Sequence, residues 1–246
     1  MRKVLILTFD DGYLDNYTCA APLLISHDIP FTIYVTSGFI EQQIIPWWYK
    51  LEEILLNNDF IRSPSNTLIN IDSLEIKQST FINFRQKLMS DYTNYNLYSN
   101  WIDSNYLESF NVDSRLFMNW SEISELHNSP LVTIGAHTHT HPVLTHLCDE
   151  KAFNEIKISK ELIERKIDSP VRHFAYPYGG KAEVSIREAK FTSDVGFESS
   201  VTTSRGDLSS KNYDFHCLPR VSYYPSTTLK SIQTDLLIHR ILNVHH

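Results

Sequence analysis

Two short segments carry residue types that could do metal-assisted hydrolysis. One is Thr8-Phe9-Asp10-Asp11-Gly12, and the other, more than a hundred positions later, is His137-Thr138-His139-Thr140-His141-Pro142. A hydrolytic zinc ion takes about three nitrogen or oxygen ligands and keeps one position open for water. One carboxylate and two imidazoles meet that demand, and Asp11, His137 and His141 are the candidates. A water attacking an acyl carbon also needs a nearby base, and Asp10, beside the ligand carboxylate, suits that role. Taken singly, each segment has a plainer reading. Asp-Asp-Gly is ordinary turn chemistry, and alternating histidines before a proline also describe a solvated loop. Successive side chains on a strand point to opposite faces, so Asp10 and Asp11 can share a site only if the strand ends or bends between them. Gly12 makes that bend easy.

The surrounding pattern supplies strands in the right places. Residues 4–9 form an apolar run stopped by the aspartates, 15–27 read as a helix, and 31–35 read as a second buried strand after Pro30. A second unit runs from a strand at 132–134 through the His-rich turn into a helix at 149–167. There Ala152, Phe153, Ile156, Ile163 and Ile167 recur near helical spacing. A strand at 173–176 closes on Pro177-Tyr178-Gly179-Gly180, followed by a helix at 184–190 and a strand at 198–202. These are βαβ units of a parallel α/β fold, whose sites form from loops at the C-terminal ends of strands. Both candidate segments fall at such ends. Between about 41 and 128 the pattern changes to a stretch rich in Asn, Ser, Tyr and Trp, with helical segments at 48–56 and 80–90. It lacks a Gly/Pro-rich linker, so the expectation is one domain over 1–246 with a helical insertion packed on the sheet.

Composition removes several function classes. The chain has 246 residues, 42% hydrophobic and 21% charged, as in an ordinary globular protein long enough to bury a large core. Its formal charge is −7 and no Lys/Arg block could track a phosphate backbone, which argues against a nucleic-acid binder. Cys19, Cys148 and Cys217 are widely spaced and odd in number, so reduced thiols are expected rather than a disulfide framework. No run of about 18 apolar residues suggests a transmembrane segment. Asp10 and Asp11 interrupt the first apolar run before a secretory core is complete, so a cytoplasmic location is expected. His27, His127, His146, His173 and His216 have no spacing that implicates them, and His245 and His246, which read equally as part of a tag or as natural residues, are given no role.

Together with Arg172-x-Phe174-Ala175-Tyr176-Pro177-Tyr178-Gly179, the two segments resemble, in order, the first three motifs of the polysaccharide deacetylases. These form the NodB-homology group, carbohydrate esterase family 4. The resemblance spans residues 1–36 and 130–221 and is poor over the insertion. It implies a distorted (β/α) barrel with about seven parallel strands. It also implies that Asp11, His137 and His141 hold a divalent ion, most simply Zn2+, that Asp10 is the base, and that a backbone N–H at Tyr178 donates to the oxyanion. His139 falls at a variable position of its motif and is left out of the ligand set. Members with a Phe-Ala-Tyr-Pro-Tyr-Gly motif are associated with surface-polysaccharide biosynthesis, and Pro46-Trp47-Trp48 is similar to those members as well.

The chain departs from the family pattern in three places. Ala175 stands where many members carry an arginine that pairs with the catalytic aspartate, and Arg220 is expected to orient Asp10 instead, through a bidentate pair. Its plain alternative is a surface arginine. The fourth motif has no clear match, Ser204-Arg205-Gly206-Asp207 being the nearest. Leu237-Ile238-His239 matches the last motif, whose histidine protonates the leaving amine, but it lies in a helix-like run at 229–242. Trp47, Trp48 and Tyr49 read either as a stacking wall for a sugar ring or as core of the insertion, with the core reading ahead.

The expected activity is metal-dependent removal of an N-acetyl group from an amino sugar of a surface glycan or its precursor. Two alternatives stand beside it. One is a metal-dependent amidase acting on a small non-sugar amide, and the other is a degenerate barrel that binds sugar without hydrolysing it.

Overall fold

A computed structural model describes residues 5–107, 116–206 and 213–223. Its centre is a parallel sheet of β1 (Leu7–Phe9), β2 (Phe31–Val35), β5 (Val132–Ala136), β6 (His173–Ala175) and β7 (Ser199–Val201), in that spatial order. Neighbours in the sheet are successive in the chain once the insertion is set aside, which is the winding of a (β/α) barrel. β2 is buried at all five positions, as a strand covered on both faces must be, and pairs with β5 from Phe31↔Val132 to Val35↔Ala136.

Five regular parallel strands stand among the described residues, where about seven were expected for this barrel type. A further segment joins the edge through one parallel bridge, Val201↔Leu218. Pro219 follows it immediately and has no N–H to extend the ladder.

The helices cover the sheet. After β1, a π-helical turn (Asn16–Ala20) runs into α1 (Ala21–Ser26), where a single helix was expected. Short α2 (Ser37–Ile40) follows β2. α6 (Trp120–His127), α7 (Asp149–Ile167) and α8 (Ile186–Asp194) complete the layer, and α8 lies somewhat later than the sequence pattern suggested. Asn119 and Glu122 form a reciprocal capping box at α6, as do Ser185 and Glu188 at α8. The main core joins Phe31, Ile33 and Val35 with Ile134, Ile156, Ile163 and Phe174, and it includes Met118, Ile123 and Leu126 from around α6.

Between α2 and α6 the chain builds a second cluster. α3 (Trp47–Leu56), α4 (Leu74–Leu88) and α5 (Tyr92–Asn105) surround Leu51, Ile54, Phe84, Leu88 and Ile102, with a small antiparallel hairpin of β3 (Phe60–Arg62) and β4 (Leu68–Asn70) contributing Ile61. The hairpin, α5 and α6 had no counterpart among the expected elements. α4 begins earlier than its expected start, because the Ser73 hydroxyl accepts from the Ile76 N–H and caps it there.

Candidate active site

The first site loop follows β1. Asp11 has φ 72° and Gly12 φ 85°, so the chain leaves its extended course directly after Asp10. This is the bend that two adjacent aspartates need in order to face one cavity. The loop is fastened from both sides, by the Thr36 N–H donating to the Asp11 carbonyl (3.3 Å) and the Met118 N–H to that of Gly12 (3.0 Å).

The second loop follows β5. Thr138 (φ 63°) and His141 (φ 59°) are both left-handed, which turns the two histidines toward Asp11. The Thr138 hydroxyl accepts from the His141 N–H at 3.1 Å. From α7, Glu155 accepts the backbone N–H groups of His139 (3.0 Å) and Thr140 (2.8 Å) and the Thr140 hydroxyl (2.7 Å). On the other flank the Gly38 N–H donates to the His139 carbonyl at 2.8 Å, and a Cβ on Gly38 would lie 2.5 Å from that oxygen. Only glycine permits this approach. His139 itself hydrogen-bonds Ser37 Oγ through Nδ1 at 2.9 Å.

These loops bring one atom each from Asp11, His137 and His141 within 4.8 Å of one another. Asp11 Oδ1 lies 3.4 Å from His137 Nε2 and 3.2 Å from His141 Nε2. His137 donates from Nδ1 to the Ala175 carbonyl at 2.7 Å, which leaves the Nε2 lone pair facing Asp11. Burial holds the His137 imidazole below its ordinary pKa, in the neutral form that ligates. For Asp11, burial pushes the carboxyl up, but His141, His137 and Arg220 outweigh it and hold it below its usual value. Asp11 Oδ1 is nevertheless buried without a hydrogen-bond partner. An orphaned carboxylate oxygen between two imidazoles is expensive unless a cation meets it, so the donor set fits a divalent ion.

Asp10 stands beside this group. Arg220 grips it with two bonds, NH1 to Oδ1 and NH2 to Oδ2, both 2.8 Å. The guanidinium is itself fixed by Nε donating to the Thr202 carbonyl (3.0 Å) and NH1 to Thr8 Oγ1 (3.2 Å), and it lies over the Tyr34 ring. That ring crosses Gly135, where a Cβ would come within 2.5 Å of it. An isolated glycine in a strand is the sequence signal for such an approach.

The third loop follows β6. Tyr178 (φ 62°) and Gly179 (φ 64°) make a left-handed turn anchored by Thr203, whose hydroxyl donates to the Tyr178 carbonyl (2.7 Å) and whose N–H donates to that of Gly179 (2.8 Å). The Tyr178 ring meets His141 edge-on with centroids 4.8 Å apart.

Of the residues singled out from the sequence, Asp10, Asp11, His137, His141, Tyr178 and Arg220 thus share one site. His239 and Asp207 lie outside the described residues. Trp47 packs against the second cluster and Trp48 stands edge-on to His141. His27, His173 and His216 bond elsewhere, to Leu23, Ser199 and Thr192. The three cysteines are unpaired. None of the described helices is long and apolar enough to cross a membrane. The roles of Glu155, Thr203, Tyr34 and Gly38 in holding the site were not read from the sequence.

Comparison with known proteins agrees with this architecture. Solved structures with the same fold include the deacetylase PplD of Streptococcus pyogenes in complex with acetate. It has a TM-score of 0.61 and 17% identity, with 96% of this chain and 71% of that chain covered. IcaB from Ammonifex degensii has a TM-score of 0.57 and 16% identity over 97% of this chain and 75% of its own. The deacetylase domain of BpsB from Bordetella bronchiseptica has a TM-score of 0.52 and 17% identity over 87% and 69%. No curated protein matches the chain. The family model for polysaccharide deacetylase matches residues 1–193, and the chain belongs to that family of carbohydrate deacetylases.

Proposed function

We propose that this protein is a metal-dependent N-deacetylase acting on an N-acetylated amino sugar of a surface polysaccharide or its precursor. The observation that carries the reading is the meeting of Asp11, His137 and His141 beside an Asp10 aligned by Arg220. In this reading the residues form a single domain whose barrel loops hold the chemistry and whose helical insertion flanks it.

Asp11, His137 and His141 would hold the ion, zinc being the simplest choice for one carboxylate and two imidazoles. When bound, such an ion supplies Lewis-acid polarisation of an acyl carbonyl and makes water more acidic. Asp10 takes the proton from the attacking water. A carboxylate has about four lone-pair sites, and the two bonds from Arg220 leave the others free for that water. Arg220 fixes the plane of the carboxylate, so the base is aimed before substrate arrives. The Tyr178 backbone N–H donates to the acyl oxygen as it becomes an oxyanion. The proton held on Asp10 can then pass to the departing amine nitrogen, so acetate and the free amino sugar leave with protons balanced. Arg220 on Asp10 also weakens the case for a degenerate, non-catalytic barrel, which rested partly on the missing arginine at position 175.

The test is acetate release from N-acetylglucosamine oligomers. Release that is abolished by a chelator and restored by zinc is the expected result. Tight zinc binding with no release from any N-acetylated sugar would favour the sugar-binding alternative. Release only from small non-sugar amides would favour the amidase.

A further inference from the structure

Three consecutive residues at the start of α3 each meet a different part of the site. Trp47 donates its indole N–H to the Tyr178 hydroxyl at 2.9 Å, in the loop after β6. Trp48 stands edge-on to His141, in the loop after β5, with ring centroids 5.2 Å apart. Tyr49 meets the ring of Tyr13, two positions past Asp11, at 6.5 Å. A helix turns about 100° per residue, so three successive side chains fan outward to different neighbours. Pro46, with φ −55° and ψ 140°, sets the direction in which that fan opens.

Trp47 faces two ways. Its ring stacks on Phe81 of α4 at 6.1 Å and packs against the second cluster, while its N–H reaches Tyr178. A left-handed backbone at a bulky residue such as Tyr178 is unfavourable and persists only where the surroundings impose it. Thr203 holds the carbonyl side of that turn. The hydrogen bond from Trp47 to the Tyr178 hydroxyl holds the side chain.

We propose that Trp47 is a positioning residue. By fixing the Tyr178 ring it fixes the turn whose backbone N–H is aimed at the acyl oxygen. This inference rests on the function proposed above and gives the helical insertion a part in catalysis. The effect belongs to the step in which negative charge develops on that oxygen, so it should be read in kcat.

Two single variants and their combination test it in the full-length, zinc-loaded protein with N-acetylglucosamine oligomers. Trp47→Phe keeps a ring against Phe81 but removes the donor. Tyr178→Phe removes the acceptor oxygen alone, leaves the backbone N–H, and provides a second arm should Trp47→Phe fold poorly. Each is expected to lower kcat about tenfold, the double variant no further, with KM and zinc affinity within about twofold of wild type. Wild-type release with variants of unchanged kcat would overturn the inference alone, as would losses that appear in KM or that add in the double variant. A wild type that releases no acetate would overturn the functional reading and this inference with it.

Discussion

The loops at the ends of β1, β5 and β6 and the helices between α2 and α6 are built on opposite principles. In the loops, Asp11, Thr138, His141 and Tyr178 all hold left-handed backbones. His137 and His141 are buried polar groups, and Asp11 and His141 each leave a buried atom without a hydrogen bond. Such arrangements are individually unfavourable and endure because a packed sheet and its side-chain clamps impose them. In the insertion the left-handed non-glycine residues among those described, Gln42 and Asn66, are exposed and stand outside its core. Its helices close around aliphatic and aromatic side chains; the first turn of α3 meets the site through Trp47 and Trp48, and Met118, just before α6, bonds the loop after β1. Changes in the loops should therefore be read in chemistry and metal affinity, and changes within the insertion core in stability.

The largest departure is expected at Arg220. Arg220→Ala removes both bonds that aim Asp10, along with the anchor to Thr202. A misplacement of about 1 Å in a reacting group can cost 10²-fold, and turnover should fall by about that factor. Zinc affinity should stay near the wild-type value, because Arg220 bonds Asp10 and none of the three proposed ligands. Turnover and calorimetric zinc titration of one preparation check both halves. Unchanged turnover would remove Arg220 from the mechanism.

The same contrast governs what could be read from the sequence. The meeting of Asp10, Asp11, His137 and His141 was legible because short motifs at strand ends carry residue types suited to the proposed metal ligation and base catalysis. The pairing of Arg220 with Asp10 was legible because Ala175 leaves that carboxylate without the arginine the family pattern places there. The clamp from Glu155 and the bond from Trp47 to Tyr178 were not legible, since nothing in spacing ties residue 47 to residue 178. Within the insertion, α5 escaped because it is mostly polar, with Ile102 alone fully buried. α6 carries a start signal in Asn119 and Glu122, whose three-residue spacing is that of a capping box. Elements held by a continuous apolar face are visible in sequence, whereas those held by tertiary contact are not.

A cavity in the insertion sharpens the comparison from the other side. Leu88 is fully buried in the second cluster. Leu88→Ala should destabilise the protein by about 2 to 5 kcal/mol, the sum of lost burial and the void left behind. Thermal and denaturant unfolding measure that loss. Well below the melting temperature, turnover should remain within about twofold of wild type, because no reacting group moves. A large loss of turnover without a loss of stability would mean that the insertion core acts on the site beyond the contacts of Met118 and the start of α3.

The smallest effect is expected at Glu155, where the two principles separate most clearly. Its carboxylate accepts three hydrogen bonds from His139 and Thr140, and so holds the left-handed loop that presents His141. Glu155→Gln conserves volume but offers a single acceptor oxygen where the native group offers two. Groups that orient metal ligands typically contribute 10- to 100-fold to affinity, and an isosteric change should raise the zinc dissociation constant by about the lower figure. The melting temperature of the metal-free protein should barely move, since burial within the loop is unchanged. Ser73→Ala, which removes the cap of α4 in the insertion, should do the reverse, costing about 1 kcal/mol of stability and leaving zinc affinity alone. If Glu155→Gln lowered the metal-free melting temperature as much as Ser73→Ala and spared zinc affinity, the loops and the insertion would be held by the same means.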